Sequence, residues 1–224
     1  MRYLNILFDL DGTLVDSVPD ITATVNATLT ELDQTTFALE QVKQWIGKGS
    51  DHLLRTALTE ALGHAPDEAL FNQAKAAYLR HYPQFNGQHS TVYDGVFEGL
   101  SAFKAMGCTL GVVTNKEVDF AIPLLNQLSL ASYFDLIVGG DSTDYKKPHP
   151  EPLRFAAQQL HATPAHCLFI GDSANDVQAA QAANMTVLVL PYGYNHGIDV
   201  QTLNASGIVS SIADAARWAM NASR

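Results

Sequence analysis

Apolar and polar positions fall into two textures along the chain. From Leu4 to Leu10 an apolar run, broken by Asn5 and Asp9, reads as a buried strand stopped by the turn signal Asp11-Gly12. From about Pro19 to Tyr82 no stretch reads as a strand. Ile21, Val25, Leu29 and Leu32 recur at helical spacing, and Leu39 to Ile46 predicts a short helix ended by Gly47. Leu53, Leu54, Ala57, Leu58, Ala61 and Leu62 make another helix, stopped at Gly63, and a last one runs from about Pro66 to His81, closed by Pro83. From Tyr93 onward the pattern alternates. Helices from Asp94-Gly95 to Lys104, Val118 to Leu128, Pro150 to Leu160 and Asp176 to Ala183 separate strands at Cys108 to Thr114, Leu136 to Val138, Cys167 to Gly171 and Thr186 to Leu190.

Strands that alternate with helices imply right-handed crossovers and a mostly parallel sheet. The expected fold class is α/β: a Rossmann-like, mostly parallel sheet flanked by helices, with an inserted all-helical module. The division expected is a core of residues 1–15 and 91–224 and a helical insertion over 16–90. In such sheets ligands bind beyond the carboxyl ends of the strands, so chemistry is sought there.

Composition narrows the function classes. The formal net charge is −10, from 23 acidic and 13 basic residues. That balance argues against nucleic-acid binding, which needs a basic footprint, and requires any phosphate site to be positive only locally. No uncharged apolar run reaches the ~18 residues of a membrane span, and the first strand starts too near Met1 to leave room for a signal peptide. Cys108 and Cys167 each open an apolar strand and read as small buried thiols, which suggests a reducing, cytoplasmic setting. The eight histidines are scattered and receive no catalytic role; His149 is expected to support its own loop.

Four strand ends carry candidate chemistry. In an extended chain residues two apart share a side, so Asp9 and Asp11 should converge. Carboxylates with ordinary pKa values of about 4 repel one another at neutral pH, and a divalent cation is the simplest remedy, Mg²⁺ being favoured by oxygen ligands and a phosphate-bearing substrate. Thr114 and Asn115 follow the second strand, where a hydroxyl and the N–H groups of a helix start can take phosphate oxygens; capping of that helix is the plain alternative. Lys147, beside Pro148, brings an ammonium charged at neutral pH. Asp172 and Asp176, with Ser173 between them, add two acids at the fourth end; capping can explain Asp176, but not Asp172 beside an acidic cluster.

Together these segments resemble the haloacid dehalogenase-like hydrolases. DLDGTLVDS (9–17) is similar to that family's first motif, Thr114 stands where its second motif binds the transferring phosphoryl group, KKPHP (146–150) matches the third and GDSAND (171–176) the fourth. The resemblance implies that Asp9 is a nucleophile forming an aspartyl phosphate and Asp11 a general acid–base. It implies Mg²⁺ held by Asp9, the backbone carbonyl of Asp11 and Asp172, a phosphate cradle of Thr114 and Lys147, and an orienting or water-mediated role for Asp176. The insertion after the first motif would be a cap that reads the leaving group. WIGKGSD (45–51) and the Tyr192-Gly193-Tyr194 segment resemble the phosphoglycolate phosphatase branch, so Gly47, Lys48 and Gly49 are expected to face substrate, with Lys48 reading its carboxylate.

The implied partner is a small-molecule phosphate ester, in a monomer or homodimer. Rival readings are another small-ester phosphatase or a pyrophosphatase on the same scaffold, a β-phosphoglucomutase-type isomerase, and a phosphonate hydrolase using Lys43 or Lys48 as a Schiff base. A non-enzymatic scaffold is disfavoured because Asp9, Asp11, Lys147 and Asp172 are all intact.

Overall fold

A computed structural model describes residues 3–222; residues 1, 2, 223 and 224, which the expected core range takes in, lie outside the described residues. Strand β1 (Asn5–Phe8) sits between β4 (Thr109–Val113) and β6 (Cys167–Gly171), parallel to both. Outside them lie β5 (Leu136–Val138) on one side, and β7 (Thr186–Val189) and β8 (Gly207–Ile208) on the other, giving the parallel order β5-β4-β1-β6-β7-β8.

Alternation along β1 decides its two faces. Ile6 and Phe8 pack with Leu100 and Phe103 of α5 (Val96–Ala105), Leu124 and Leu125 of α6 (Val118–Gln127) and Ala216 of α9 (Ile212–Asn221). Leu7 turns the other way, toward Leu153 and Ala156 of α7 (Glu151–Gln159) and Val177 and Ala180 of α8 (Ala174–Ala182). With both faces covered, the strands read as near-continuous apolar runs. The α/β architecture is therefore as the pattern implied.

The helical insertion leaves and rejoins the core through a two-stranded antiparallel ribbon, β2 (Val15–Asp16) and β3 (Thr91–Val92), which the pattern did not show. Between them lie α1 (Val18–Glu31), α2 (Leu39–Lys43), α3 (Ser50–Leu62) and α4 (Glu68–Phe85). Their apolar stripes form a third core, which also takes in Phe120 and Tyr194 from outside the insertion. Helix α2 is shorter than expected, and α4 runs through Pro83 instead of ending before it. Proline cannot donate to the carbonyl four residues back, that of Leu79, an exposed residue, and the helix holds beyond it, the Asn86 N–H bonding Tyr82 O at 2.9 Å. Strand β8 and helix α9 were also not read from the sequence.

Asp20, buried in the first turn of α1, ties the two crossings together. Its carboxylate accepts from the N–H groups of Gly87 (2.8 Å), His89 (2.8 Å) and Ser90 (3.1 Å), and from the Ser90 hydroxyl. Among the described residues no helix is long and apolar enough to cross a membrane.

Candidate active site

The site lies beyond the carboxyl ends of β1, β4 and β6. The Asp9 N–H still bonds Ile170 O (2.9 Å), so Asp9 continues the line of β1 and points out at its end. Asp9, Asp172 and Asp176 offer carboxylate oxygens all within 4.8 Å of one another. Lys147, from the loop after β5, reaches into this group: its ammonium lies 2.8 Å from Asp9 Oδ1 and 2.7 Å from Asp176 Oδ1, with the lysine side chain 2% exposed. Burial alone would push that ammonium down; Asp176 and Asp9 outweigh it and hold Lys147 above its ordinary value.

Asp176 is committed on both oxygens. Oδ1 takes Lys147, while Oδ2 accepts from the N–H groups of Asp172 (3.2 Å) and Ser173 (3.0 Å) and from the Ser173 hydroxyl (2.6 Å). Ser173 and Asp176 thereby form the capping box of α8, and the same carboxylate fixes Asp172 beside Asp9. Asp172 accepts from Thr13 Oγ1 at 2.7 Å and the Tyr194 N–H at 2.6 Å. The loops carrying Gly12 and Gly193 press so close that a Cβ on either would come within 2.5 Å or 2.2 Å of Asp172 Oδ2.

Three acids face one ammonium here, and their protonation reflects that. Burial pushes Asp9 up to about 7, with Lys147 opposing and Asp176 and Asp11 adding to the rise. Burial, then Asp176 and Asp9, pushes Asp172 well above the usual carboxylate range. An all-oxygen donor set with surplus negative charge suits a hard divalent cation, so the residues present fit Mg²⁺.

Asp11 departs from the expected convergence. Regular strand ends at Phe8, and at Leu10 the chain already turns, the Leu10 carbonyl accepting from the N–H groups of Thr13, Leu14 and Val15. Two-residue alternation therefore lapses before Asp11. Its carboxylate leaves the three-acid cluster and accepts from the Ser17 hydroxyl and the Lys116 ammonium, each at 2.5 Å. Asp9 and Asp11 still open onto one cavity of about 50 Å³, roughly the room of three or four waters. Ile21, Ile46, Leu53 and Phe120 give it apolar walls.

The remaining expected residues divide. Thr114, Asn115, Gly47 and Gly49 line that cavity with the two acids. The Thr114 hydroxyl accepts from the Lys116 N–H at 3.2 Å, which leaves its own proton to donate. The Asn115 side chain is a brace: it donates to Lys147 O (2.8 Å) and Gly47 O (2.9 Å) and accepts the Lys147 N–H (2.8 Å). Only the backbone of Asn115 remains for the phosphate role. Asn175 Nδ2 adds a second bond to Gly47 O at 3.2 Å, so two core loops hold the insertion's loop.

Lys48 is not brought to the acids. Gly47 and Gly49 line the cavity of Asp9 and Asp11, whereas the residue between them lines a neighbouring cavity with His52, Asn175 and His196. Lys146 is half-exposed and reaches Glu117 at 3.5 Å, and His149 stacks on Tyr145 with centroids 4.1 Å apart. Among the described residues no histidine lines the cavity of Asp9 and Asp11.

Several residues of the site have structural roles that the sequence reading did not assign. Lys116 was visible as the residue after Thr114-Asn115 but had no assigned partner. Ser17 had been only the end of a motif. Tyr194 proves to be a brace: its hydroxyl accepts from the Ser17 (2.8 Å) and Val18 (3.2 Å) N–H groups and donates to Asp16 Oδ1 (2.8 Å), serving the start of α1.

The model of the haloacid dehalogenase-like hydrolases matches residues 6–190, and the chain belongs to that family. It groups with the phosphoglycolate phosphatase branch and is, by class, a phosphoric monoester hydrolase. It is 43% identical over 211 residues to a phosphoglycolate phosphatase of Thiobacillus denitrificans, covering 94% of this chain and 93% of the relative. It is 44% identical over 197 residues to one of Colwellia psychrerythraea, covering 87% of each. The crystal structure of a predicted phosphoglycolate phosphatase from Haemophilus somnus superposes with a TM-score of 0.93 at 33% identity, over 98% of this chain and 99% of that one.

Proposed function

We propose that the chain hydrolyses small phosphomonoesters, 2-phosphoglycolate foremost, to the alcohol and inorganic phosphate, through an aspartyl phosphate on Asp9. The observation that carries this reading is one small cavity onto which Asp9, Asp11 and Thr114 all open, beneath an insertion whose loop closes it. The relatives' phosphoglycolate phosphatase names support the substrate.

An Asp9 oxygen attacks phosphorus in line, forming the new P–O bond as the bond to the leaving alkoxide breaks. Asp11 gives that alkoxide a proton, then takes one from the water that cleaves the acyl phosphate, returning Asp9 as carboxylate. Thr114 Oγ1 and the Asn115 backbone N–H hold phosphoryl oxygens, and Lys147 offsets the charge on Asp9. Asp9, the Asp11 backbone carbonyl and Asp172 would hold Mg²⁺, which when bound supplies charge to oppose the acids and the transferring phosphoryl oxygens. Asp176 positions Lys147 and Asp172 instead of touching substrate. Residues 16–90 act as the cap domain over a core of residues 1–15 and 91–224. The two free, buried cysteines support a cytoplasmic setting.

Phosphate release from a panel of phosphomonoesters and pyrophosphate, with and without Mg²⁺, tests the proposal. Magnesium-dependent turnover led by 2-phosphoglycolate is expected. Faster release from pyrophosphate or from a carboxylate-free ester would replace the substrate.

A further inference from the structure

Among the described residues a single cation lines the cavity that holds Asp9 and Asp11. Of the basic residues near the site, Lys147 is locked between Asp9 and Asp176, Lys146 leans on Glu117, and Lys48 faces the neighbouring cavity. Among the described residues Lys116 alone carries positive charge into the lining. Its side chain is 5% exposed; its ammonium touches Asp11 Oδ1 and sits 5.5 Å from the centre of the Tyr82 ring, within reach of a cation–π contact. Tyr82 is itself buried and stacks on Phe120 at 4.2 Å between centroids.

We infer that Lys116 is the specificity-determining residue of the site, receiving an anionic group, a carboxylate, on the leaving half of the substrate. The inference rests on the phosphomonoesterase reading above and deepens it. With the phosphoryl group at Asp9, the leaving half must occupy the rest of the cavity, where Ile21, Ile46, Leu53, Phe120 and the tyrosine rings are the apolar walls and Ser50, Glu117 and the backbone at Gly47 and Gly49 the polar ones. A carboxylate enters such a place only against a cation. The cavity's further acid, Glu117, turns its Oε1 to the Ser50 hydroxyl at 2.5 Å and to the Lys146 ammonium at 3.5 Å, partners other than Lys116. Asp11 keeps the Ser17 hydroxyl when Lys116 shifts toward substrate, so neither group is stranded. The Tyr82 face is the seat that keeps the ammonium in the cavity during that exchange.

The test compares kcat/KM for 2-phosphoglycolate with that for ethyl phosphate, which lacks the carboxylate, in wild type, Lys116→Met, Lys116→Arg and Lys48→Met. Because losing Lys116 also disturbs Asp11, and so both substrates, the ratio is the readout. Lys116→Met is expected to lower the preference for 2-phosphoglycolate about 10- to 150-fold, the range for a hydrogen bond to a charged group. Lys116→Arg should restore part of it, and Lys48→Met should leave it unchanged. Tyr82→Leu should raise KM for 2-phosphoglycolate more than for ethyl phosphate. A wild-type ratio in soluble, folded Lys116→Met overturns the inference, as does a collapse in Lys48→Met. If the methionine variant does not fold, Lys116→Gln carries the same two outcomes. Absence of any carboxylate preference in the wild type fails the substrate reading itself and takes the inference with it; a wild-type preference that survives in the variant fails the inference alone.

Discussion

The Lys147 ammonium lies 2.7 Å from Asp176 Oδ1, at a place where the aspartate has no exposed side-chain surface. This contact joins the loop after β5 to the first turn of α8, and two of the site's four segments depend on it. A buried ion pair is a weak source of net stability, yet removing one partner leaves the other charged and desolvated. Asp176 also satisfies two backbone N–H groups and a hydroxyl. We therefore expect Asp176→Ala to lower unfolding stability by about 3–5 kcal/mol, read as a shift in the urea midpoint. An unchanged midpoint would show that the pair holds nothing in place.

The two acids at the end of β1 should separate in kinetics. Asp9→Asn is expected to abolish phosphate release. Asp11→Asn should slow it by about 10²–10⁴-fold, the scale of a lost general acid–base. Rapid-quench measurement of phosphate from purified variants decides between them. Near-normal turnover in Asp9→Asn would remove the nucleophile assignment.

The acid cluster predicts a pH-dependent response to magnesium. Asp9 rises from 3.8 to about 7 in the folded, metal-free chain. Between those values the folded state holds a proton that the unfolded state has released, so this group's contribution to stability falls as pH rises. Asp172 shifts in the same direction. Metal binding needs these groups ionised. The rise in Tm on adding Mg²⁺ should accordingly be larger at pH 8 than at pH 5. Equal rises at both would place magnesium elsewhere.

Asp20 should govern the junction between core and insertion. Replacing it with alanine leaves the Gly87, His89 and Ser90 N–H groups without their acceptor. Unmet buried donors cost about 1–3 kcal/mol each when water cannot replace the partner. Limited proteolysis of Asp20→Ala is expected to cut within residues 86–91 well before the wild type does, and Asp20→Asn should fall between the two. A variant as resistant as wild type would make the latch dispensable.

Much of this protein was determined by local sequence. Alternating apolar strands and helices set a parallel sheet, and each strand-end motif places its own side chains because a strand's exit direction is a local property. Asp9, Thr114, Lys147 and Asp172 were legible for that reason. What tertiary structure decided are the partners and directions that local spacing does not encode. Asp11 lies past the end of regular strand, and its direction was settled by Ser17 and by Lys116 from another strand end. Lys48 points away from the acids because the loop's two glycines, not its lysine, form the wall of the cavity. The short β2–β3 ribbon, the Asp20 latch and the Tyr194 brace join residues far apart in the chain, so no window of sequence contains them.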